Sequence, residues 1–430
     1  MKIRDSVIWS VAFIALLIGI VLTATGTVET IDRNNIDTYY ILSGVLHEPM
    51  STVIASLDDE ALDFYPNTPL VFWGPHFAKA IKRLKEAEAA AIALDIYFAI
   101  TPEQWLRTLS DSGEIPPELV DYDQSFDQAL SEGRIILAAN PVRGKNGTFV
   151  PLPAEEYLAA LPNHLDGVGL TTLPKDSDAR VRRMVLAFEG LPAQQKDSAS
   201  HPVPDGYKTP NPWWTFAALA VKEGFGADTL TSSQNESIFS PQLIAYCGPP
   251  MTIPRISLVS LLREQGLTPA ERALIAGRIV FIGSDSESFG DHQPTPYSKS
   301  VLWREYRDMS GAEIHANIAE TILNPNRIQQ VPLVGVFLLW GAIMALAAIS
   351  CELHIKTMAV YVMKLASLVI LWPIGLILFL CGYLLPQAGC LSAIMFFFAT
   401  IAILRTIGSH DRTVRIIERT VFEKIYHDKR

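Results

Sequence analysis

Three aspartates each follow an apolar segment with the length and composition of a buried β-strand. Asp58 follows Thr52–Leu57, Asp95 lies in the run Ala91–Phe98, and Asp285 closes the segment that begins at Ile279. Because the carboxyl ends of parallel strands meet at one edge of a sheet, these side chains would converge there. Three carboxylates at such a crevice could bind a cation, an amine or a sugar. The alternative is that each carboxylate caps the helix or turn that follows it.

Three more polar residues lie near Asp285 in the chain and complete the candidate ligand-binding set. Ser284 is in the polar turn after the strand, Asp291 follows that turn, and Glu313 stands near the start of a helix predicted from Gly311. The apolar side chains of that helix recur on one face, at Ile314, Ile318, Ile322 and Leu323. A strand that opens into a polar crevice, followed by a helix that packs on the sheet, is where open α/β sheets hold ligands.

Other chemistries fit these residues poorly. The Gly283–Ser286 turn lacks the Gly-Lys-Ser/Thr of a phosphate-binding loop, and its acidic neighbours would repel phosphate. Glu313 and His315 are zinc-type ligands, as are Asp291 and His292, but their spacing fits no zinc motif. We interpret His315 as a hydrogen-bonded helix residue. With no nucleophile–base motif in the sequence, we predict no catalytic residue, no metal and no cofactor.

Four long segments without charge interrupt the 430-residue chain: Val7–Thr25, Val331–Cys351, Leu365–Leu385 and Pro386–Leu404. Segments of about 20 apolar residues can cross a bilayer. We therefore predict transmembrane helices over residues 7–26, 331–350, 365–385 and 387–404. The first could instead be a cleaved signal peptide, but it is long for one and lacks a clean cleavage site, which favours an uncleaved anchor.

Basic residues predict the orientation of these helices. Lys2 and Arg4 precede the first, Lys356 and Lys364 lie between the second and third, and several arginines follow the fourth. All of them lie on one side if residues 1–6 and 405–430 are cytoplasmic and residues 27–330 are extracytoplasmic. The tail repeats Val414, Ile417, Val421 and Ile425 at near-heptad spacing. It is either a positive stop that fixes topology or the start of a two-stranded signalling helix.

The predicted outer segment is acidic, with 24 Lys+Arg against 39 Asp+Glu and a formal charge of −15. Such a surface repels nucleic acid and anionic lipid headgroups. Its only cysteine, Cys247, cannot form an internal disulfide, and we interpret it as a buried thiol. About 300 residues can bury a sizeable core without crosslinks.

Alternating apolar runs and amphipathic segments predict an α/β domain with a mainly parallel or mixed sheet flanked by helices. The predicted strands are Thr52–Leu57, Ala91–Phe98, Arg134–Ala139, Gly167–Thr172, Arg182–Phe188, Leu243–Tyr246 and Ile279–Ile282. The predicted helices are Ile31–Leu46, Phe77–Ala91, Asp121–Glu132 with Asp121 as its cap, Trp213–Lys222, one opened by Pro254–Ser257, and one from Gly311. We interpret Gly190–Asn211 as an exposed loop.

These segments, in this order, resemble the type-two CHASE domain, an extracytoplasmic sensory module of bacterial receptors. The residues that carry the resemblance are Ile54–Asp58, Ala91–Phe98, Asp178–Arg183, Pro254–Ser257, Gly277–Ser284, Gly290–Asp291, Thr295–Pro296 and Gly311–Asn317. One predicted membrane helix before the domain and three after it also match the family layout. Two departures are Phe72–His76, which lacks the family's arginine, and Ala179, where the family has glycine.

The resemblance implies a sensor in the bacterial inner membrane, expected to be a homodimer, that binds an unidentified signal. It would act on a cytoplasmic signalling partner, or on an output domain that this chain lacks, and would not be an enzyme itself. The alternative is a non-signalling scaffold in the lipid bilayer that docks an envelope protein through its acidic domain. The sequence contains no set of catalytic residues that would support an outward-facing hydrolase. No nucleic-acid partner is expected.

Overall fold

The computed structural model describes residues 5–109, 115–144, 147–189, 206–231, 237–286, 291–299, 307–324, 328–353 and 358–427. The chain divides into two compact units. Met1–Tyr39 and Ile328–Arg430 form the membrane unit, and Tyr40–Arg327 forms the sheet unit.

A six-stranded sheet forms the centre of the sheet unit. Its strands are β1 (Thr52–Leu57), β2 (Ala91–Leu94), β3 (Ile135–Ala139), β4 (Val168–Leu170), β5 (Arg255–Ser257) and β6 (Ile279–Ser284). Their order is β5-β1-β6-β2-β3-β4, and every neighbouring pair is parallel. The parallel sheet with flanking helices confirms the predicted α/β fold class.

Sixteen α-helices occur in the described residues. They are α1 (Asp5–Ala24), α2 (Glu29–Ser43), α3 (Asp59–Phe64), α4 (Gly74–Glu86), α5 (Pro102–Leu109), α6 (Gln124–Ser131), α7 (Glu155–Ala160), α8 (Phe216–Phe225), α9 (Asp228–Thr231), α10 (Leu258–Leu262), α11 (Pro269–Ile275), α12 (Gly311–Leu323), α13 (Leu333–Glu352), α14 (Met358–Val369), α15 (Leu371–Leu380) and α16 (Ala388–His427).

Helices cover both faces of the sheet. On one face, α4, α6, α7 and α10 share a core with strand residues such as Leu57, Leu94 and Ile282. On the other face, α8 and α12 pack on the strands, and the ring of Phe281 on β6 contacts that of Phe216 on α8. Ile279 to Ile282 are all 0% exposed, as a run of apolar residues without alternation predicts.

Several predicted elements have different bounds or a different type. Arg255–Ser257 forms the edge strand β5, so the helix begins only at Leu258, with Ser257 as its N-cap. Helix α4 ends at Glu86, and α6 begins at Gln124 with Asp123 as its N-cap in place of Asp121. Trp213–Trp214 precedes α8 as a strand. Residues 190–205 of the predicted loop lie outside the described residues.

The predicted strands Arg182–Phe188 and Leu243–Tyr246 do not join the central sheet. Arg183–Met184 pairs with Gln242–Leu243, and Ala187–Phe188 pairs with Trp213–Trp214. Two more antiparallel pairs join Val142–Gly144 to Gly147–Phe149 and His292–Gln293 to Met309–Ser310. The sequence pattern identifies these segments as extended, but pairing depends on contacts distant in the chain.

Among the described residues, four helical segments of the membrane unit are long and apolar enough to cross a bilayer: Asp5–Ala24, Leu333–Glu352, Val362–Leu380 and Ala388–Ile407. The third is broken between α14 and α15 at Ile370. Pro373 explains the break, since it lacks an N–H and its ring would clash with the carbonyl of Val369. A short parallel pair, Gln329–Gln330 with Tyr383–Leu384, also belongs to this unit.

Candidate functional site

The carboxyl edge of the sheet carries the three aspartates, as their positions after the strands predict. Leu57 of β1 pairs with Ser284 of β6, so Asp58 and Asp285 follow at neighbouring strand ends. Leu94 of β2 pairs with Ile282, and the Asp95 backbone N–H donates to the Ile282 carbonyl at 2.8 Å. The three carboxylates nevertheless have three different sets of contacts.

Asp58 caps the next helix. Its carboxylate accepts a 2.9 Å hydrogen bond from the Ala61 backbone N–H in the first turn of α3. The Ser257 hydroxyl, at the end of β5, lies 3.3 Å from the same oxygen. This is the capping role that the sequence offered as the alternative to ligand binding, and it occupies the carboxylate with local contacts.

Asp285 and Glu313 share one guanidinium. Arg255 on β5 forms an ion pair with Asp285 and a second one with Glu313, where its Nη2 lies 3.0 Å from Oε2. Glu313 is 1% exposed and also accepts a 2.8 Å hydrogen bond from the Met251 backbone N–H. Burial raises the pKa of Glu313, while Arg255 and the backbone donors oppose that shift. One guanidinium thus pairs with both carboxylates, so neither of them lacks a partner.

Asp95 is different because no described residue pairs with it in this way. In the described part of the chain, no group donates a hydrogen bond to its carboxylate. Burial, and then the negative charge of Asp291, raise the pKa of Asp95 to about 8. Burial also raises the pKa of Asp291, against the influence of His292, Gln293 and Lys175. Two carboxylates are therefore held close together where ionising both is unfavourable.

Two glycines make room for this pair. A Cβ on Gly283 would lie 2.7 Å from that of Ala312 and 3.3 Å from that of Asp95, so the glycine lets α12 approach β6. A Cβ on Gly311 would lie 2.5 Å from a carboxylate oxygen of Asp291. Asp291 therefore sits against the first residue of α12, where the positive end of the helix dipole favours a negative charge.

Tyr97 and Thr171 extend this polar edge over β3 and β4. Their hydroxyls are 2.9 Å apart, and Tyr97 also hydrogen-bonds to the Asn140 side chain. The Tyr97 ring remains exposed, and the charges of Asp95 and Asp291 contribute to raising its pKa, after burial. We call Asp95, Tyr97, Thr171 and Asp291 the carboxyl-edge cluster.

The cluster combines residues that follow two different strands, β2 and β4, with one that precedes α12. Lys175 lies beside it, and its Nζ is 2.6 Å from the Gln293 side-chain oxygen. Sequence reasoning identified the two aspartates but missed Tyr97, Thr171 and Lys175. The available signal was their position: Tyr97 and Thr171 lie at the carboxyl ends of the predicted strands Ala91–Phe98 and Gly167–Thr172, and Lys175 follows the second of these.

Ser284, also predicted to bind a ligand, is partly buried at the end of β6. Its hydroxyl is enclosed and has no hydrogen-bond partner within the described ranges. Its β1 neighbour is Leu57, which belongs to the core on the α4 side of the sheet. Among the described residues, no hydrogen bond joins Ser284 to the carboxyl-edge cluster.

His315, His47 and Cys247 belong to the sheet unit and lie outside the carboxyl-edge cluster. His315 is buried and its ring contacts that of Phe216, while its Nδ1 has no partner among the described residues. Burial lowers the pKa of His315 to about 3, so it is neutral. Cys247 is buried as predicted, with its Sγ 3.2 Å from Nε2 of His47.

The motif at Asp178–Arg183 builds a buried ion-pair cluster. Arg182 is 1% exposed, and 2.7 Å contacts join its guanidinium to the carboxylates of Asp176 and Asp178. Arg182 holds the pKa of Asp178 well below its usual range. Ala179 between them adopts the left-handed conformation, with φ +63°. The turn therefore forms although the chain lacks the glycine of the family motif.

A family model described as the CHASE2 domain matches residues 12–350. The chain belongs to the CHASE2 domain family. No curated protein and no solved structure gives a significant match. CHASE2 domains are sensory extracytoplasmic modules, and the four apolar helices indicate that this CHASE2 protein is a membrane protein. The described residues contain no group of three or more His, Cys, Asp or Glu side chains that could hold a metal ion.

Proposed function

We propose that this CHASE2 protein is a membrane-anchored sensor that binds a signal at the carboxyl-edge cluster and relays it through its transmembrane helices. The observation that carries the proposal is the Asp95 carboxylate, which is partly buried beside Asp291 and receives no hydrogen bond from the described residues. A buried carboxylate without a donor is costly, and a ligand that supplies a cation or a donor would remove that cost.

Three ligand classes fit a cluster of two carboxyl groups and two hydroxyls: a metal cation, an amine and a sugar. Mg²⁺, ethanolamine and glucose are suitable probes, one for each class, added to the full chain in nanodiscs. The expected result is that one probe raises the unfolding temperature of the wild type but not of the Asp95→Asn/Asp291→Asn double variant. Equal stabilisation of both proteins, or no stabilisation by any probe, would reject the cluster as the site.

The pH dependence of binding separates the classes. Since the pKa of Asp95 is about 8, the group is mostly a neutral carboxyl in the empty protein at neutral pH. A cation or an amine would bind the ionised form and displace the proton, so its affinity should rise by up to about tenfold per pH unit below pH 8. A sugar should show no such rise.

Helix α2 supports the relay part of the proposal. The boundary between the two units falls between Tyr39 and Tyr40 of this one helix. In the membrane unit, the Asp32 carboxylate accepts hydrogen bonds from the backbone N–H groups of Gln387 and Ala388, at 2.8 and 2.9 Å, and so caps α16. In the sheet unit, the Tyr40 hydroxyl donates to the Ile244 carbonyl. A shift of α2 would therefore act on both.

The remaining parts of the proposal follow from the sequence and the family. The basic loops favour cytoplasmic termini and an extracytoplasmic sheet unit in a bacterial inner membrane. We propose a homodimer that acts on a cytoplasmic signalling partner or output domain, with no enzymatic activity in this chain. The competing function is a scaffold that docks an envelope protein on the acidic domain. The two functions differ in the response of the C-terminal tails, residues 405–430, whose spacing can be measured with spin labels. A probe that stabilises the protein but leaves this spacing unchanged would favour the scaffold.

A further inference from the structure

A second group of carboxylates lies on the α4 side of the sheet and is not part of the carboxyl-edge cluster. Its members are Glu103, Asp121, Asp123, Asp127 and Glu156, from α5, the segment before α6, α6 itself and α7. The hydrogen bond from the Asp121 backbone N–H to Glu103, at 2.9 Å, ties the α5 and α6 parts together. The proposed sensing function makes no use of this group.

Asp123 is the buried member, with 8% of its surface exposed. Its Oδ2 accepts a hydrogen bond from the Tyr157 hydroxyl on α7, whereas its Oδ1 has no partner among the described residues. The carboxylate lies against the first residue of α4, because a Cβ on Gly74 would be only 2.0 Å from Oδ1. Gly74 thus provides a space that the carboxyl group of Asp123 fills.

Asp127 lies one helical turn after Asp123, on the same side of α6. Its Oδ1 is likewise enclosed and unpartnered within the described chain. Two carboxyl groups therefore each present one buried oxygen that receives no hydrogen bond. A carboxyl group becomes a donor only when it is protonated. One proton shared between the two groups would provide the missing hydrogen bond, whereas two negative charges would provide none.

The surroundings of the pair are acidic. Burial raises the pKa of Asp127 to about 6, and the charges of Asp123, Glu156 and Asp121 add to the shift. Burial and Glu103 raise the pKa of Asp123. The groups that favour ionisation are the Tyr157 hydroxyl and the N-terminus of α4.

Of the five described basic groups of α4, Lys82 is exposed and the other four have contacts elsewhere. Lys85 pairs with Glu132 at the far end of α6, His76 stacks on Tyr65, and Lys79 and Arg83 donate to carbonyl groups of the α10 region. Neither a basic side chain nor a metal-binding group of three ligands therefore neutralises the pair in the described structure. A proton is the remaining small cation.

We propose that Asp123 and Asp127 form a proton-binding site, in which one shared proton holds α6 against α4 and α7. At acidic pH the pair is joined by a carboxyl–carboxylate hydrogen bond. At higher pH both groups are ionised, and their repulsion loosens α6. The protein would then respond to external protons as well as to a ligand at the carboxyl edge, and the two inputs would use different side chains.

Hydrogen–deuterium exchange of the full chain in nanodiscs tests this site. After correction for the intrinsic exchange rate, amides of α6 in the wild type should lose about tenfold in protection between about pH 5 and about pH 7.5, as the shared proton is released. Asp127→Asn imitates the protonated state and should keep equal protection at both values. The exposed Asp166→Asn is the matched control and should behave like the wild type.

A second variant gives a result that general damage to the fold would not. Tyr157→Phe removes the donor that favours ionised Asp123, so the midpoint of the change should move up by about one pH unit. A pH response that persists in Asp127→Asn, or a midpoint in Tyr157→Phe that stays or falls, would overturn the proposal. Addition of CaCl₂ at high pH should not restore the protection of the α6 amides. If it did, the ligand of the pair would be a metal ion and the proposal would be wrong.

Discussion

Ala179 has a left-handed backbone conformation at the position where the family motif, Asp178–Arg183 in this chain, has glycine. Its φ of +63° lies in the left-handed region, which is unfavourable for residues with a Cβ. The turn is held by the hydrogen bond from the Ala179 N–H to the Asp176 carbonyl, at 2.9 Å, and by the Arg182 ion pairs. Buried charge pairing therefore maintains a turn for which glycine would be better suited.

Replacing Ala179 with glycine should stabilise the protein by about 0.5–1 kcal/mol, because relief of the left-handed strain exceeds the entropy that glycine adds to the unfolded chain. Thermal unfolding in detergent measures the change. Ala270→Gly, at an exposed position in helix α11, is the control and should destabilise by a similar amount. A destabilising Ala179→Gly would show that the turn carries no strain.

The raised pKa of Asp95 predicts that the folded protein loses stability as the pH rises towards alkaline values. The folded-state pKa of this carboxyl group is raised to about 8, so the protonated form favours the folded state. Because the unfolded group ionises near pH 4, this contribution decreases steadily above about pH 4, and the last part of it is lost as the pH rises through about 8. Between about pH 7 and pH 9 the wild type should lose on the order of 1–2 kcal/mol more than Asp95→Asn does. Chemical denaturation at several pH values measures this, and equal losses would contradict it.

At this scale, the sequence located the aspartates but not their partners. Asp58, Asp95 and Asp285 stand at the carboxyl edge because strand ends can be predicted from apolar runs. Whether a carboxylate caps a helix, pairs with Arg255 or stays unpaired depends on residues that are distant in the chain. No spacing rule connects Asp285 to Arg255 or Asp123 to Tyr157.

At the scale of the elements, helices α1 and α16 pack closely against each other. A Cβ on Gly389 would lie 2.0 Å from the Thr23 hydroxyl and 2.5 Å from the Gly19 carbonyl, and a Cβ on Gly19 would lie 2.4 Å from the Gly389 carbonyl. Glycines that face each other let two helix backbones approach closely, which is a common basis of helix association in membranes. The first and last membrane helices are thereby held together.

Gly389→Ala should therefore destabilise the membrane unit by about 1–3 kcal/mol, since the extra methyl group meets backbone atoms that cannot move aside. Gly341→Ala is the matched control because nothing lies within 4 Å of its added Cβ, and it should be nearly neutral. Unfolding in mixed micelles with increasing SDS compares the two variants. If both behave alike, the close contact between α1 and α16 does not contribute to stability.

The type of an element could be predicted from the sequence where its apolar pattern was long. The prediction failed where strand pairing with distant residues determines the type. The apolar runs identify β1, β2, β3 and β6 as strands, and the amphipathic pattern identifies α12 as a helix. Arg255–Ser257 was expected to open a helix, but its backbone pairs with β1 in parallel register. The break at Ile370 follows from Pro373, a local signal that the charge-free length of the segment obscured.

For the whole molecule, four apolar helices accompany an acidic α/β unit that belongs to a sensory family. The basic loops predict that this unit and the two termini lie on opposite sides of the membrane. Helix α2 is common to both units, and its Asp32 caps the helix that leads to the C-terminal tail. A sensor needs this topology, because a signal outside must reach an output inside.

Cysteine labelling in intact cells tests this topology most directly. The four native cysteines are replaced by serine, and single cysteines are introduced by Asp166→Cys in the sheet unit and Thr420→Cys in the tail. A membrane-impermeant maleimide should label the Asp166→Cys protein in intact cells, and the Thr420→Cys protein only after permeabilisation. Labelling of the tail variant, but not the sheet-unit variant, in intact cells would contradict the account of this protein as an extracytoplasmic sensor.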